Sequence, residues 1–260
     1  MYRWLKALPI LVLWAGSAAA ADLTPPAPEP PAPEVFDSRW SVAGGAYLWA
    51  ASLDGRVGAG SVGPGDVHAS FGDIFKNLDM AFMAAGEVRY DRFGVFADLV
   101  YTRVSADGTD PGSGIYLKAT NSVVVGTLLG EARVFEQGKT SADVMAGARL
   151  WSVSAKLTGT PPGGPSQSVS GDEVWVDPMV GVKGQLQGNS PWYVMGWAMI
   201  GGFGVSADLD WDVMGGVGYR VTDHISLLAG YRALGVDYSH GNFTYDVVEH
   251  GPVVSAVLRF

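Results

Sequence analysis

The sequence contains no cysteine, and this absence excludes several kinds of protein. Disulfide bridges, a lipid anchor on a lipobox cysteine and catalysis by a cysteine nucleophile all require the missing thiol. Charge is also scarce, because Asp, Glu, Lys and Arg make up only 17% of the chain, and the formal net charge of −9 argues against nucleic acid as a partner. The chain must therefore gain its stability from its size or from a closed, hydrogen-bonded sheet.

Long apolar runs are missing as well, although two stretches come near to a membrane-spanning helix. Leu8–Trp14 is too short for a span of about 20 residues. Arg3 and Lys6 precede it and small residues follow at Ser17–Ala21, so residues 1–21 are predicted to be a secretory signal peptide. Pro191–Ala207 carries no charge, but four glycines weaken a helix there, and we predict a strand.

Proline is concentrated just after the signal. The segment Thr24–Glu34 reads Thr-Pro-Pro-Ala-Pro-Glu-Pro-Pro-Ala-Pro-Glu. Proline at this density excludes helices and sheet ladders and favours an extended chain. We therefore predict a periplasmic tether over residues 22–38, and a single β-domain over residues 39–260.

Apolar and polar residues alternate from Arg39 onward with a period of two, which is typical of β-strands. With 36 glycines and 11% aromatic residues, the composition suits a lipid-facing sheet. Short turns alternate with longer links, as in outer-membrane barrels. We predict an all-β fold, a closed antiparallel up-and-down transmembrane β-barrel of about ten strands, with eight as the alternative. The ten predicted strands are Trp40–Asp54, Met80–Arg92, Phe93–Ser105, Tyr116–Phe135, Thr140–Leu157, Asp172–Gln187, Trp192–Ser206, Trp211–Thr222, Ile225–Tyr238 and Thr244–Phe260.

One face of these strands is apolar and is bracketed by aromatic residues. In Phe93–Tyr101 and in Trp211–Tyr219 the two aromatic residues lie eight positions apart. At about 3.3 Å per residue and a tilt near 45°, this separation spans roughly 19 Å of membrane depth. Aromatic rings at this spacing suit the two membrane interfaces, so we predict that this face contacts lipid.

The opposite face carries charge of both signs, and we predict that it lines the lumen. The charged residues in this phase are Glu87, Arg89, Asp98, Glu131, Arg133, Asp143, Arg149, Asp177, Lys183, Asp212, Arg220, Arg232 and Arg259. Acids and bases are nearly balanced in this set although the whole chain is acidic. A barrel of about ten strands has little spare diameter. We therefore expect an ion-pair network that fills most of the lumen.

The longest predicted link, Gly55–Asp79, contains a helix signal. Ser70, with Asp73 three residues later, is typical of a helix N-terminus. The apolar side of this mouth loop would comprise Phe71, Ile74, Phe75 and Leu78. A lid over the barrel mouth and a packed surface loop are the two interpretations.

Candidate chemistry is sparse, since the chain has only four histidines. His224 and Ser226 have the His-x-Ser spacing of outer-membrane lipid A deacylases, but they lie at a predicted periplasmic turn, away from the outer leaflet. Two sets of loop residues offer metal-binding groups without a diagnostic spacing: Asp66, His68 and Asp73, and Asp237, His240 and His250. We predict no catalytic residue, no metal and no cofactor.

Several segments after Trp40 carry a resemblance to a known family. They are Ala46–Trp49, Leu53–Gly55, Ser70–Ile74, Gly86–Tyr90, Gly230–Arg232 and His250–Pro252, together with the final Phe260. These segments resemble the small outer-membrane β-barrel, porin-like proteins of Gram-negative bacteria. The resemblance implies an outer-membrane location, with Leu258 and Phe260 as the C-terminal signal for assembly. It also implies outer-membrane lipids, lipopolysaccharide, the outer-membrane assembly machinery and periplasmic chaperones as partners.

The function follows less directly, because this superfamily includes membrane anchors, narrow pores, adhesins and enzymes. We expect a structural or narrow passive-pore role without catalysis. The alternatives are an outer-membrane lipid-modifying enzyme of the deacylase type, and an accessory to surface adhesion or envelope-polymer secretion. The sequence leaves the solute and the oligomeric state open.

Overall fold

The structure, a computed structural model, describes residues 39–59, 62–109 and 111–260. The predicted signal peptide and tether lie outside the described residues. Twelve strands and one helix make up the described chain. They are β1 Trp40–Trp49, β2 Ser52–Ala59, β3 Val62–Ala69, α1 Phe71–Lys76, β4 Leu78–Tyr90, β5 Phe93–Thr109, β6 Tyr116–Gln137, β7 Thr140–Thr160, β8 Gln167–Leu186, β9 Trp192–Gly202, β10 Leu209–Arg220, β11 Ile225–His240 and β12 Phe243–Arg259.

Ten of these strands form a closed antiparallel barrel. The order around the wall is β1, then β4 to β12 in sequence order, and β12 pairs with β1 to close the ring. The hairpin of β2 and β3 lies outside this ring and adds to the edge of β12. The prediction of ten strands is therefore confirmed, and the alternative of eight is wrong.

The prediction for the first strand and its link needs correction. The predicted strand Trp40–Asp54 is divided into β1 and β2, although both pair with β12 in one continuous register. The predicted link Gly55–Asp79 contains the rest of β2, all of β3 and α1. Glycine and proline at Gly58, Gly63, Pro64 and Gly65 weaken the alternation on which a strand prediction depends.

The strands on one side of the barrel are longer than predicted. The links predicted at Ala106–Ile115 and Thr158–Gly171 are partly strand, because β5 continues to Thr109, β7 continues to Thr160 and β8 begins at Gln167. The three strands β6, β7 and β8 have 22, 21 and 20 residues, whereas β9 and β10 have 11 and 12. The wall therefore rises higher over β6–β8 than over β9–β10. It does so at the end opposite the turns Asp91–Arg92 and Gly138–Lys139, which mark the short-turn end of the barrel.

The helix in the mouth loop begins where the sequence predicts. Ser70 is its N-cap and accepts a hydrogen bond from the backbone N–H of Asp73 at 3.3 Å. The helix ends at Lys76, so Leu78 belongs to β4 rather than to the helix. Its aromatic side chains, Phe71 and Phe75, are exposed with their rings 5.6 Å apart. In the part of the chain that the structure describes, no helix is long and apolar enough to cross a membrane.

Buried apolar side chains fill two regions inside the barrel. One cluster is rich in aromatic rings and includes Trp49, Trp151 and Trp175. The other cluster lies nearer the short turns and is rich in methionine. Between and beside these clusters lie the buried charged residues, which make the lumen the candidate functional site.

Candidate functional site

The middle of the lumen holds a fully buried ion-pair layer. Arg149, on β7, reaches across to β10, where its Nη1 lies 2.6 Å from Asp210 Oδ1 and its Nη2 lies 2.7 Å from Asp212 Oδ2. Its Nε donates to Thr127 Oγ1 at 2.9 Å. None of the Arg149 side chain is exposed. Trp151, two residues further along β7, donates its indole N–H to Asp210 at 2.8 Å.

Arg232, on β11, completes this middle layer. Its Nη2 lies 2.6 Å from Asp98 Oδ2 and 2.7 Å from Asp212 Oδ2. Its Nη1 lies 2.7 Å from Tyr47 Oη, and the Tyr47 hydroxyl donates to Asp98 Oδ1 at 2.7 Å. The guanidinium also lies 5.1 Å from the ring centre of Trp49. Because Asp212 is shared, the two arginines and their three carboxylates form one connected network from β1 to β11.

A second ion-pair network lies nearer the short turns and joins β4, β6, β7 and β8. Lys183 Nζ lies 2.5 Å from both Glu87 Oε2 and Glu131 Oε2. Arg89 contacts the same two carboxylates, at 2.9 Å and 2.5 Å, and also Asp143 at 3.2 Å. Arg133 Nε lies 3.0 Å from the same oxygen of Asp143. Three bases and three acids therefore neutralise one another, as buried charges require.

The opposite end of the lumen contains stacked aromatic rings. The rings of Trp175 and Tyr238 are 3.9 Å apart and nearly parallel, at 4°. The ring of Trp151 also stacks with that of Trp175, at 5.6 Å and 7°. Asp177 fixes this stack, because it accepts from the Trp175 indole N–H at 3.0 Å and from the backbone N–H of Ala207 at 2.8 Å.

The structure places the thirteen predicted lumen charges in three different situations. Ten lie in the two ion-pair networks, while Asp177 binds an indole and a backbone N–H instead of a cation. In the described part of the chain, Arg220 and Arg259 have no carboxylate within salt-bridge distance. Asp210 is not among the predicted lumen charges because it lies just before the predicted strand Trp211–Thr222. Its position two residues before Asp212, in the same phase, was the available signal.

The residues singled out for chemistry do not come together as a catalytic group. The ring Nδ1 of His224 lies 3.0 Å from the Arg259 carbonyl oxygen, and Ser226 Oγ accepts a hydrogen bond from the Arg259 guanidinium. Asp54 contacts both His68 and His250, and the Tyr231 hydroxyl lies 2.7 Å from His250. Among the described residues, no three His, Asp or Glu side chains are grouped so as to hold a metal ion.

The outer surface of the ten strands indicates the environment in which the barrel is stable. Large apolar side chains such as Val95, Leu99 and Val217 are exposed all round it. At the short-turn end, the pairs Trp40 with Tyr90 and Trp192 with Tyr219 each place their ring centres 4.9 Å apart. Such a belt is stable only against hydrocarbon, with aromatic rings at its edge. The chain is an outer-membrane β-barrel protein.

Comparison with solved structures returns outer-membrane proteins at low identity. The chain is 13% identical to Ail, the attachment invasion locus protein of Yersinia pestis, with a TM-score of 0.37, over 85% of this chain and 98% of that one. It is 11% identical to the outer membrane protease OmpT of Escherichia coli, with a TM-score of 0.42, over 85% and 96% of the two chains. No family model and no curated protein matches the sequence.

Proposed function

We propose that this barrel is a structural outer-membrane protein whose lumen is closed to most solutes, leaving at most a narrow passive pore. The observation that carries the proposal is the Arg149–Asp212–Arg232 network, which connects opposite walls and is at most 1% exposed. A barrel of ten strands is only slightly wider than one that its own side chains fill. Aromatic stacking on one side of this network leaves little room for a continuous water path.

The network of Arg149, Asp212 and Arg232 also explains why a blocked lumen would be stable. Each buried arginine contacts at least two carboxylates, so neither charge is left without compensation. Removing one partner of such a group typically costs about 3–5 kcal/mol. Spontaneous opening would have to break several of these contacts together, and we expect it to be rare.

Single-channel recording of the purified barrel in planar bilayers tests this closure. We expect the natural protein to give no stable, large conductance steps. The double variant Arg149→Ala with Arg232→Ala empties the middle of the lumen and should produce frequent open steps. Arg103→Ala is the matched control, because Arg103 is exposed and pairs with Asp79 outside the lumen at 3.6 Å. Large stable steps from the natural protein would contradict the proposal.

We further propose that the barrel performs no catalysis. The contacts that support this are those of His224 and Ser226, which bind the carbonyl and the guanidinium of Arg259 rather than each other. A deacylase requires its His to take the proton of its Ser. The test is mass spectrometry of lipid A from cells that express the natural protein or the variant His224→Ala with Ser226→Ala. Any loss of acyl chains that depends on these two residues would favour a lipid-modifying enzyme over a barrel without catalysis.

Surface adhesion is the second candidate, and the uneven rim of the barrel favours it. The raised wall of β6–β8 carries the polar side chains of Ser154, Thr158 and Ser168, far from the short turns. If this wall binds a surface, deleting residues 156–170 should reduce the adherence of expressing cells without affecting assembly of the barrel. Unchanged adherence of the trimmed protein would exclude this role for the wall.

A further inference from the structure

The lumen opens into a cavity on the short-turn side of Arg232. Its volume is about 370 Å³, which is within the range of small-molecule sites. Apolar side chains line its inner part, among them Trp197, Met214 and Leu228. Arg220 and Arg259 line its mouth, at the ends of β10 and β12. The cavity thus has an apolar interior and a cationic entrance, which faces the periplasm.

These two arginines differ from the other cations of the lumen. Arg89, Arg133, Arg149, Lys183 and Arg232 each lie within salt-bridge distance of at least two carboxylates. Within the described part of the chain, neither Arg220 nor Arg259 has such a partner. The two guanidinium groups are close enough to repel each other. Asp223, in the turn after β10, is the carboxylate that acts on Arg220, so two guanidinium groups share one nearby negative charge. A site with such an excess of positive charge favours the binding of an anion.

The neighbouring donors point to the same chemistry. Arg220 Nε is buried and makes no hydrogen bond in the structure. Tyr193 is 1% exposed, and its hydroxyl also lacks a partner. The Arg259 guanidinium lies 5.2 Å above the centre of the Tyr193 ring and donates to Ser226. Buried donors without acceptors are costly, and an oxyanion between the arginines would supply the acceptors.

The opposite wall of the cavity does not cancel this positive charge. It carries the network of three bases and three acids that includes Lys183 and Arg89, which is neutral as a group. Arg232 is likewise compensated, by Asp98 and Asp212. The entrance therefore keeps a local excess of positive charge in a chain whose net charge is −9.

We propose that this cavity binds a small amphipathic organic anion from the periplasm. Its carboxylate or phosphate head lies between Arg220 and Arg259, and its apolar body packs on Trp197, Met214 and Leu228. The proposal goes beyond the closed-barrel function. Tyr47 and Arg232 of the middle layer line the inner end of the cavity, whereas Arg220 and Arg259 lie at its mouth, outside that layer.

Isothermal titration of the full barrel in nanodiscs tests the proposal, with sodium benzoate as the probe of an apolar body with a carboxylate head. We expect saturable binding that the variant Arg220→Gln with Arg259→Gln weakens by at least about tenfold, because charge-assisted hydrogen bonds are lost. Arg103→Gln, which removes an exposed arginine outside the cavity, should bind benzoate as the natural protein does. Benzoate should quench the fluorescence of Trp197 strongly in the natural protein and in Arg103→Gln, and weakly in the double variant.

Two further ligands distinguish the parts of the proposal. Benzyl alcohol keeps the ring without the charge and should bind much more weakly than benzoate. Inorganic phosphate keeps the charge without the ring, and binding as tight as that of benzoate would overturn the role of the apolar interior. Circular dichroism and heat-modifiable migration establish that each variant is folded. Absence of saturable benzoate binding to the folded natural barrel, or equal binding to the double variant, would overturn the site itself.

Discussion

Asp212 accepts four hydrogen bonds from three side chains, Arg149, Trp197 and Arg232. We expect Asp212→Ala to destabilise the barrel by about 3–5 kcal/mol, because each arginine is then left with a single carboxylate in a buried site. Urea unfolding in detergent micelles, followed by heat-modifiable migration, measures this loss. Asp66→Ala, an exposed change on β3, is the control and should leave unfolding unaffected. Equal stability of the two variants would show that the arginines do not need this partner.

Gly218 shows how closely the lumen is packed at one position. A Cβ atom placed there would overlap the ring of Tyr193 on the neighbouring strand. We expect Gly218→Ala to cost about 1–3 kcal/mol, since the buried ring must move to make room. Urea unfolding in detergent micelles, followed by heat-modifiable migration, also measures this loss of stability. Gly215→Ala, on the same strand with no atom within 4 Å of the added Cβ, should be nearly neutral.

Individual lumen residues were predictable from phase alone, but their partners were not. The alternation of apolar and polar residues along β7 and β11 is sufficient to place Arg149 and Arg232 inside the barrel. That Asp212 joins these two arginines depends on the tilt of the strands and on the stagger of the closed ring, which a single sequence does not encode locally. Tyr47 and Trp151 were missed for a related reason, because aromatic residues are typical of both faces.

At the scale of elements, strand number and the helix start were predictable and the first hairpin was not. The wall strands have period-two segments, and Ser70 has the chemistry of a helix cap. In β2 and β3, glycine and Pro64 remove the apolar alternation. This hairpin is formed by pairing with the exposed edge of β12, so its cause lies in tertiary structure rather than in its own residues.

The same hairpin should respond to acid. Asp54 on β2 contacts His68 on β3, and this hydrogen bond lowers the pKa of Asp54 below its ordinary value. A carboxyl whose pKa is lowered in the folded state stabilises that state above the unfolded pKa, and the contribution is lost as pH falls through the folded pKa. We therefore expect the backbone protection of β2 and β3 to fall below about pH 4.

Hydrogen–deuterium exchange, expressed as protection factors at pH 6 and pH 3, measures this response. Asp54→Asn should have the lower protection already at pH 6, and its protection should change little with pH. Protection of β7 and β8 in the same sample is the internal control, since these strands pair with each other over most of their length. Equal protection of the hairpin at both pH values would show that the Asp54 contact contributes nothing.

At the scale of the whole molecule, the barrel is layered along its axis. Stacked aromatic rings lie at the end with the raised wall, and a fully buried ion-pair layer lies in the middle. A neutral charge network, with Arg220 and Arg259 beyond it, lies at the short-turn end. The outer surface is apolar, with aromatic pairs at its edge. This arrangement is what a closed barrel requires, because lipid satisfies no polar group on the outside and the protein must satisfy its own charges on the inside.

Spin labelling along β5 tests this central claim most directly, and the absence of cysteine allows each label to be placed singly. Labels in liposomes at outward positions Val95, Ala97 and Leu99 should be relaxed by oxygen, which concentrates in lipid. Labels at Phe96 and Val100, which the structure buries inside the barrel, should be shielded from both oxygen and a water-soluble nickel complex. Strong relaxation by nickel at the inward positions would mean a water-filled lumen. Loss of the period-two pattern would contradict the barrel itself.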